Sequence, residues 1–221
     1  MARRQLHDQY FKKAKAEGYL ARSAYKLIEI NERKRLFGPG DRVLDLGCAP
    51  GAWVQVALKA VGSRGVVVGI DLKDAREVAG PNAHILRGDI YATPASALTM
   101  PAGGLFHAVL SDMAPDTTGH GDHFLSVRLC RRALDLLPDL LRPGGNFCMK
   151  VFEGEEYPAL LRDIAAMFDA AKGFKPKASR DISCEMYVVA HGYRAPRAAP
   201  RPAATSAAIA TPGGGGGRGG A

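Results

Sequence analysis

The chain has 221 residues, 47% hydrophobic and 24% charged, which suits one core domain with an appendage and excludes a disordered or collagen-like polymer. No apolar run approaches the ~18–20 residues that cross a bilayer, and the charged start lacks the apolar stretch of a secretion signal, which predicts a soluble, cytoplasmic protein without membrane contact. The net charge of +8 is uneven: residues 1–42 carry +6, residues 191–221 hold four arginines and no acid, and 43–190 sum to −2, a pattern suited to gripping a polyanion at the edges of a domain.

After a basic arm with Lys12, Lys13 and Lys15, Ser23 is placed to cap a helix to about Arg35. That helix turns Leu27, Ile28 and Ile30 to the core and leaves Lys26, Arg33 and Lys34 on its remaining surface. Arg42–Leu46, Gly65–Ile70, His84–Gly88, His107–Ser111 and Asn146–Phe152 are short, mostly apolar runs of the kind that form a parallel sheet covered on both faces. Helical periods at Ala52–Val61, His123–Leu141 and Glu155–Ala171 lie between or after them, the last closed by Gly173. The alternation predicts a doubly wound α/β sheet with right-handed crossovers. Phe174–Ala178 and Glu185–Tyr193 are separated by six residues, too few for a crossover helix, and are expected as an antiparallel pair at one edge. From Ala195 onward 20 of 27 residues are Ala, Gly or Pro, a flexible tail in which Arg197, Arg201 and Arg218 could touch phosphates weakly. The expected division is an arm and helix over 1–41, a core over 42–193 and a disordered tail over 194–221. Cys48, Cys130, Cys148 and Cys184 show neither CxxC nor zinc-ligand spacing and read as reduced core residues.

The first strand runs into Gly47-Cys48-Ala49-Pro50-Gly51-Ala52-Trp53 and then a helix, placing a glycine-bearing turn where open α/β sheets bind ligands. Ala49 occupies the position of a dinucleotide fingerprint's second glycine, and Pro50 removes a backbone donor that a pyrophosphate would use. The Lys-Ser/Thr of a Walker loop is missing, so NAD and ATP are both disfavoured. Asp71, Asp89 and Asp112 follow the ends of later strands. Three carboxylates suit a ligand with ribose hydroxyls, an adenine amino group and positive charge, the description of S-adenosylmethionine, although aspartates at such places also cap turns.

Asp45-Leu-Gly-Cys-Ala-Pro-Gly-Ala-Trp53, Ser111-Asp-Met-Ala-Pro115 and Lys150-Val-Phe-Glu-Gly154 together resemble the FtsJ-type RNA ribose 2′-O-methyltransferases. Ser23-Ala-Tyr-Lys-Leu27, Lys175-Pro-Lys-Ala-Ser-Arg180 and Glu185-Met-Tyr187 extend the resemblance, which spans about residues 8–193. Ala52 stands where the family usually has a second glycine, Asp116 where it often has asparagine, and the tail has no counterpart. The resemblance implies a Rossmann-like class I methyltransferase fold, a seven-stranded, mostly parallel sheet in the order 3-2-1-4-5-7-6 with one antiparallel edge strand. It further implies that Gly47, Gly51 and Trp53 line the methionine part of S-adenosylmethionine, that Asp71 holds the ribose hydroxyls, that Asp89 sits near the adenine, and that Asp112 borders cofactor and substrate. Trp53 is equally readable as a core aromatic.

The family's Lys-Asp-Lys-Glu tetrad falls on Lys26, Asp112, Lys150 and Glu185. Lys150 lies in an otherwise apolar run, where an unpaired ammonium is costly, so a structural ion pair is the competing reading. A ribose hydroxyl is a poor nucleophile until it loses its proton, which leaves Lys150 either as a neutral base or as an ammonium steadying the developing alkoxide. The expected assignment is the base, with Asp112 and Glu185 holding the lysines, Lys26 steering substrate and charge, and no metal. The resemblance points to a uridine of 23S ribosomal RNA, within the large subunit or its precursor, and to a monomer. A transfer RNA or cap substrate keeps the same chemistry, and a non-catalytic RNA-binding assembly factor is the reading from another class.

Overall fold

A computed structural model describes residues 2–75, 78, 80–115, 122–179 and 183–195, with side chains from residue 9 onward, Asp122 excepted. Among these residues seven strands form one sheet: β1 (Arg42–Leu46), β2 (Val66–Asp71), β3 (Ala83–Arg87), β4 (Phe106–Ser111), β5 (Leu141–Phe152), β6 (Phe168–Phe174) and β7 (Glu185–Tyr193). Their order is β3-β2-β1-β4-β5-β7-β6, as the family resemblance implied. The first five run parallel, and β7 opposes both β5 and β6. The reversed strand thus lies one place in from the edge, and β6 forms the edge itself.

The helices are α1 (Ala2–Ala16), α2 (Ala24–Lys34), α3 (Ala52–Val61), α4 (Ala95–Ala102), α5 (Asp122–Leu140) and α6 (Tyr157–Met167). Strand alternation sends Leu44, Leu46, Val109 and Met149 to one face, under α4, α5 and α6, and Val43, Ala108, Leu110 and Cys148 to the other, under α2 and α3. Leu27 and Ile30 of α2 are fully buried in this second layer, each stabilising the fold by about 1.5–3 kcal/mol. Helix α2 therefore packs into this layer through the apolar residues that its sequence turned to the core.

Three expectations are corrected. The helix expected over Glu155–Ala171 stops at Met167, and the strand expected at Phe174–Ala178 is β6, six residues earlier. Ala170, Ala171 and Lys172 favour helix locally, but pairing from Phe168 opposite Tyr193 to Phe174 opposite Tyr187 overrides that preference. Helix α4 was not expected at all; its Pro101 and weak periodicity hide it. Cys184 is exposed, whereas Cys48, Cys130 and Cys148 are buried. Arg180, Asp116 and the tail beyond Ala195 lie outside the described residues.

The sheet places its functional ends by register. Because β1 has β2 on one side and β4 on the other, the connections diverge there and open a crevice at the carboxyl ends of the strands. Ser111 of β4 lies opposite Met149 of β5, so Asp112 comes alongside Lys150. Across the other edge of β5, Lys150 faces Tyr187 and Phe152 faces Glu185.

Candidate active site

The crevice holds a cavity of about 470 Å³ lined by Gly47, Ala49, Asp71, Asp89, Asp112, Met113 and neighbouring residues. Gly47 has φ +79°, and a Cβ there would meet Met113 Cγ at 2.5 Å, so glycine is required both by conformation and by the close passage of the Asp112–Met113 chain. Asp71 accepts the Ala49 amide on Oδ2 at 2.9 Å and the Lys73 amide on Oδ1 at 2.8 Å. It thus shapes the loop while keeping lone pairs for a diol. The Ala49 amide, spent on Asp71, is not offered to a phosphate. Asp89 accepts the Tyr91 amide at 2.9 Å, so it caps a turn and lines the cavity at once.

Gly51 and Trp53 lie elsewhere. A Cβ on Gly51 would run into Val78 and Leu20, and neither Gly51 nor Trp53 contributes to the cavity lining. Trp53 is buried, donates from Nε1 to the Ser23 carbonyl at 3.0 Å, and stands 5.8 Å from the Tyr187 ring. Ser23 precedes α2 with helical φ and ψ and makes no side-chain cap; its carbonyl, taking the Trp53 proton, ties the helix start to α3 instead.

Lys26, Asp112, Lys150 and Glu185 come together as two ion pairs. Lys26 Nζ bonds Glu185 Oε2 at 2.7 Å. Lys150 Nζ donates to the Asp112 carbonyl at 2.6 Å and lies 3.1 Å from Asp112 Oδ1. Both lysines are buried. For Lys26 this overturns the expected surface position: α2 buries two adjacent stripes, because its first turns lie against the strand ends that carry Glu185. Burial pushes the Glu185 carboxyl up, but the Lys26 charge and hydrogen bond, with Lys150 and Ser183, outweigh it and hold Glu185 below the ordinary glutamate value.

Two further residues belong here that the residue patterns did not single out. Tyr187, fully buried, donates from its hydroxyl to Asp112 Oδ1 at 2.9 Å, the same oxygen that faces Lys150. Burial, with Asp112 and Glu185 nearby, keeps that phenol protonated. Asp45 of β1 is wholly buried, and neither carboxyl oxygen finds a hydrogen-bond partner among the described residues. Burial first, then the charges of Asp112 and Asp71, raise its pKa well above the ordinary aspartate value, with Lys150 opposing. Its sequence signals were an aspartate inside an apolar strand and its place at the head of the Asp45–Trp53 motif.

This donor set fits S-adenosylmethionine. Three carboxylates, Asp71, Asp89 and Asp112, line a largely apolar cavity beside Lys73, and the loop amide nearest Asp71 is occupied, which favours a cationic ligand bearing hydroxyls and an apolar ring over a phosphorylated one.

The FtsJ-like methyltransferase family model matches residues 19–193. The ribosomal RNA large subunit methyltransferase E of Halorubrum lacusprofundi is 46% identical over 189 residues, covering 84% of this chain and 70% of that protein. Its counterpart from Syntrophobacter fumaroxidans is 44% identical over 186 residues, 83% of this chain and 94% of that protein. The crystal structure of a ribosomal RNA methyltransferase from Plasmodium falciparum has a TM-score of 0.68 at 25% identity, covering 79% of this chain and 98% of that one.

Proposed function

Since the chain belongs to the FtsJ-like methyltransferase family and is an RNA methyltransferase, we propose that it transfers a methyl group from S-adenosylmethionine to a ribose 2′-hydroxyl of large-subunit ribosomal RNA. By the family resemblance the target is a uridine of 23S ribosomal RNA, and the protein acts in the cytoplasm as a monomer on the large subunit or its precursor. The relatives' names support the ribosomal substrate. The observation that carries the chemistry is the side-by-side placement of the Lys26–Glu185 and Lys150–Asp112 pairs at strand ends, with Asp112 shared between the pairs and the carboxylate-lined cavity.

The methyl donor supplies an already activated methyl on a sulfonium centre. Gly47 lets the loop backbone approach it, Asp71 would take its ribose hydroxyls and Asp89 its adenine end, with Gly51 and Trp53 supporting the loop from behind. Lys150, fixed by the carbonyl and the carboxylate of Asp112, has one direction left for its third substituent. Resting as the ammonium of its pair with Asp112, it first gives up a proton to solvent; as the neutral amine it then points a lone pair at the acceptor hydroxyl and takes its proton on Nζ as the methyl leaves the sulfonium sulfur for the oxygen. Asp112 then stabilises the ammonium so formed. Lys26, held by Glu185, offsets the negative charge that gathers on the oxygen. Tyr187 keeps Asp112 from rotating away.

Single-turnover methylation of ribosomal RNA by the wild type, Lys150→Ala and Lys150→Arg, from about pH 6 to about pH 9, tests the assignment. Lys150→Ala is expected to slow the chemical step by roughly 10²–10⁴ and to leave donor binding intact. Lys150→Arg is expected to be nearly as slow, since guanidinium cannot give up its proton near neutrality. An arginine variant within a few-fold of the wild type refutes the base. Mapping ribose methylation in total RNA after gene deletion identifies the target, and a loss confined to transfer RNA would move the substrate.

A further inference from the structure

The segment from Lys175 to Ser179 has no part in the chemistry above, yet it leaves β6 at the crevice end of the sheet, where Phe174 lies opposite Tyr187. Lys175 Nζ donates to the Ser183 carbonyl at 2.9 Å, two residues from Glu185, so the turn borders the Lys26–Glu185 pair. Its residues divide cleanly: Pro176, Ala178 and Ser179 are buried, Lys175 and Lys177 exposed. Ala178 packs with Ala14 of α1 and Tyr25 of α2, the Lys177 amide donates to Glu29 Oε2 at 2.7 Å, and the Ser179 amide closes on the Pro176 carbonyl at 2.9 Å. A turn anchored at these points holds its two ammonium groups outward, and neither is paired with a carboxylate among the described residues.

The surroundings reinforce the positive character. Lys34 lies over the Phe174 ring, 5.0 Å from its centroid, and Arg33 sits on the same end of α2. The carboxylates between are engaged: Glu29 serves the Lys177 amide and Arg33 Nε at 3.4 Å, and Glu185 serves Lys26. Glu32 and Glu153 are exposed.

We propose that Lys175 and Lys177 form a phosphate-holding rim of the acceptor site, gripping the RNA backbone beside the ribose presented to Lys150 and fixing the strand along the α2–β6 side of the crevice. Compact ammonium groups suit this contact, which positions a strand without reading its bases. The inference rests on RNA being the substrate.

The test uses the full chain and unmodified large-subunit ribosomal RNA. The double variant Lys175→Gln/Lys177→Gln should lower the slope of log affinity against log salt by about 1.4, near 0.7 per lost single-strand phosphate contact, and weaken RNA binding about tenfold near physiological salt. The loss should fall on the KM for RNA, with affinity for the methyl donor retained. Lys175→Arg/Lys177→Arg should restore binding, and Arg64→Gln, exposed on a distant turn, should change nothing. An unchanged salt slope in the glutamine double variant overturns the rim, as does a loss confined to kcat or a failure of arginine to rescue. Thermal unfolding of each variant separates these outcomes from misfolding. A wild type that binds this RNA but does not methylate it would instead refute the substrate reading.

Discussion

Replacing Glu185 by glutamine tests the electrostatic frame of the site. The Lys26 ammonium is buried and is held by Glu185 Oε2 at 2.7 Å, while Glu185 remains 24% exposed at its side chain. Breaking a wholly buried pair costs about 3–5 kcal/mol. Water at the exposed side of Glu185 and the hydrogen bond that Lys26 still donates to a glutamine oxygen reduce this to about 2 kcal/mol, or roughly 4–8 °C in Tm for a domain of this size. The pH dependence has a definite sign. Glu185 is held below its ordinary value of 4.5, so its contribution is complete above that value and disappears as pH falls through the lower folded value. Urea unfolding of wild type and Glu185→Gln should therefore show the full gap at about pH 7 and a shrinking gap below about pH 4. A gap that is equally large in acid, or no gap at neutrality, refutes the reasoning.

Asp71→Ala should weaken S-adenosylmethionine binding by roughly 1.5–3 kcal/mol in calorimetry, the usual contribution of hydrogen bonds to a charged group, and unchanged affinity would remove Asp71 from the site. Asp45→Asn should flatten the dependence of stability on pH. Burial raises the Asp45 pKa in the native state, so between the unfolded-state value near ~3.9 and the raised folded value wild-type stability falls with rising pH by up to about 1.4 kcal/mol per pH unit from this group, and the variant should lack that contribution. Parallel stability curves for the two proteins would mean that Asp45 is ionised in the fold.

The sheet was readable because its strands are short apolar runs separated by helical periods, and Ala52–Val61 is a helix to the residue. Legibility failed where local preference and tertiary pairing conflict. The stretch after Met167 carries alanines and a lysine that suit a helix, and only the ladder with β7 makes it a strand. The position of Lys26 was hidden for a related reason. A single amphipathic stripe puts it outside, whereas α2 is covered on a second side by strand ends whose acidic residue lies 159 positions further along the chain.

The four charged groups of the site come from four segments, and family motifs could bring them together in name only. Their balance depends on geometry: Lys26 and Lys150 face Glu185 and Asp112, while burial pushes the pKa of the neighbouring Asp45 carboxyl up. The lysine expected to move a proton is held partly by a backbone carbonyl, which no residue identity encodes, and its carboxylate partner is steadied by Tyr187. A site with balanced charge and fixed bonds can accept a cationic donor on one side and a polyanion on the other, because neither must first displace an unpaired charge. On the proposed reading, the cavity beside Asp71 and Asp89 and the basic turn at Lys175 and Lys177 would then sort the two ligands to opposite flanks of the same pair of lysines.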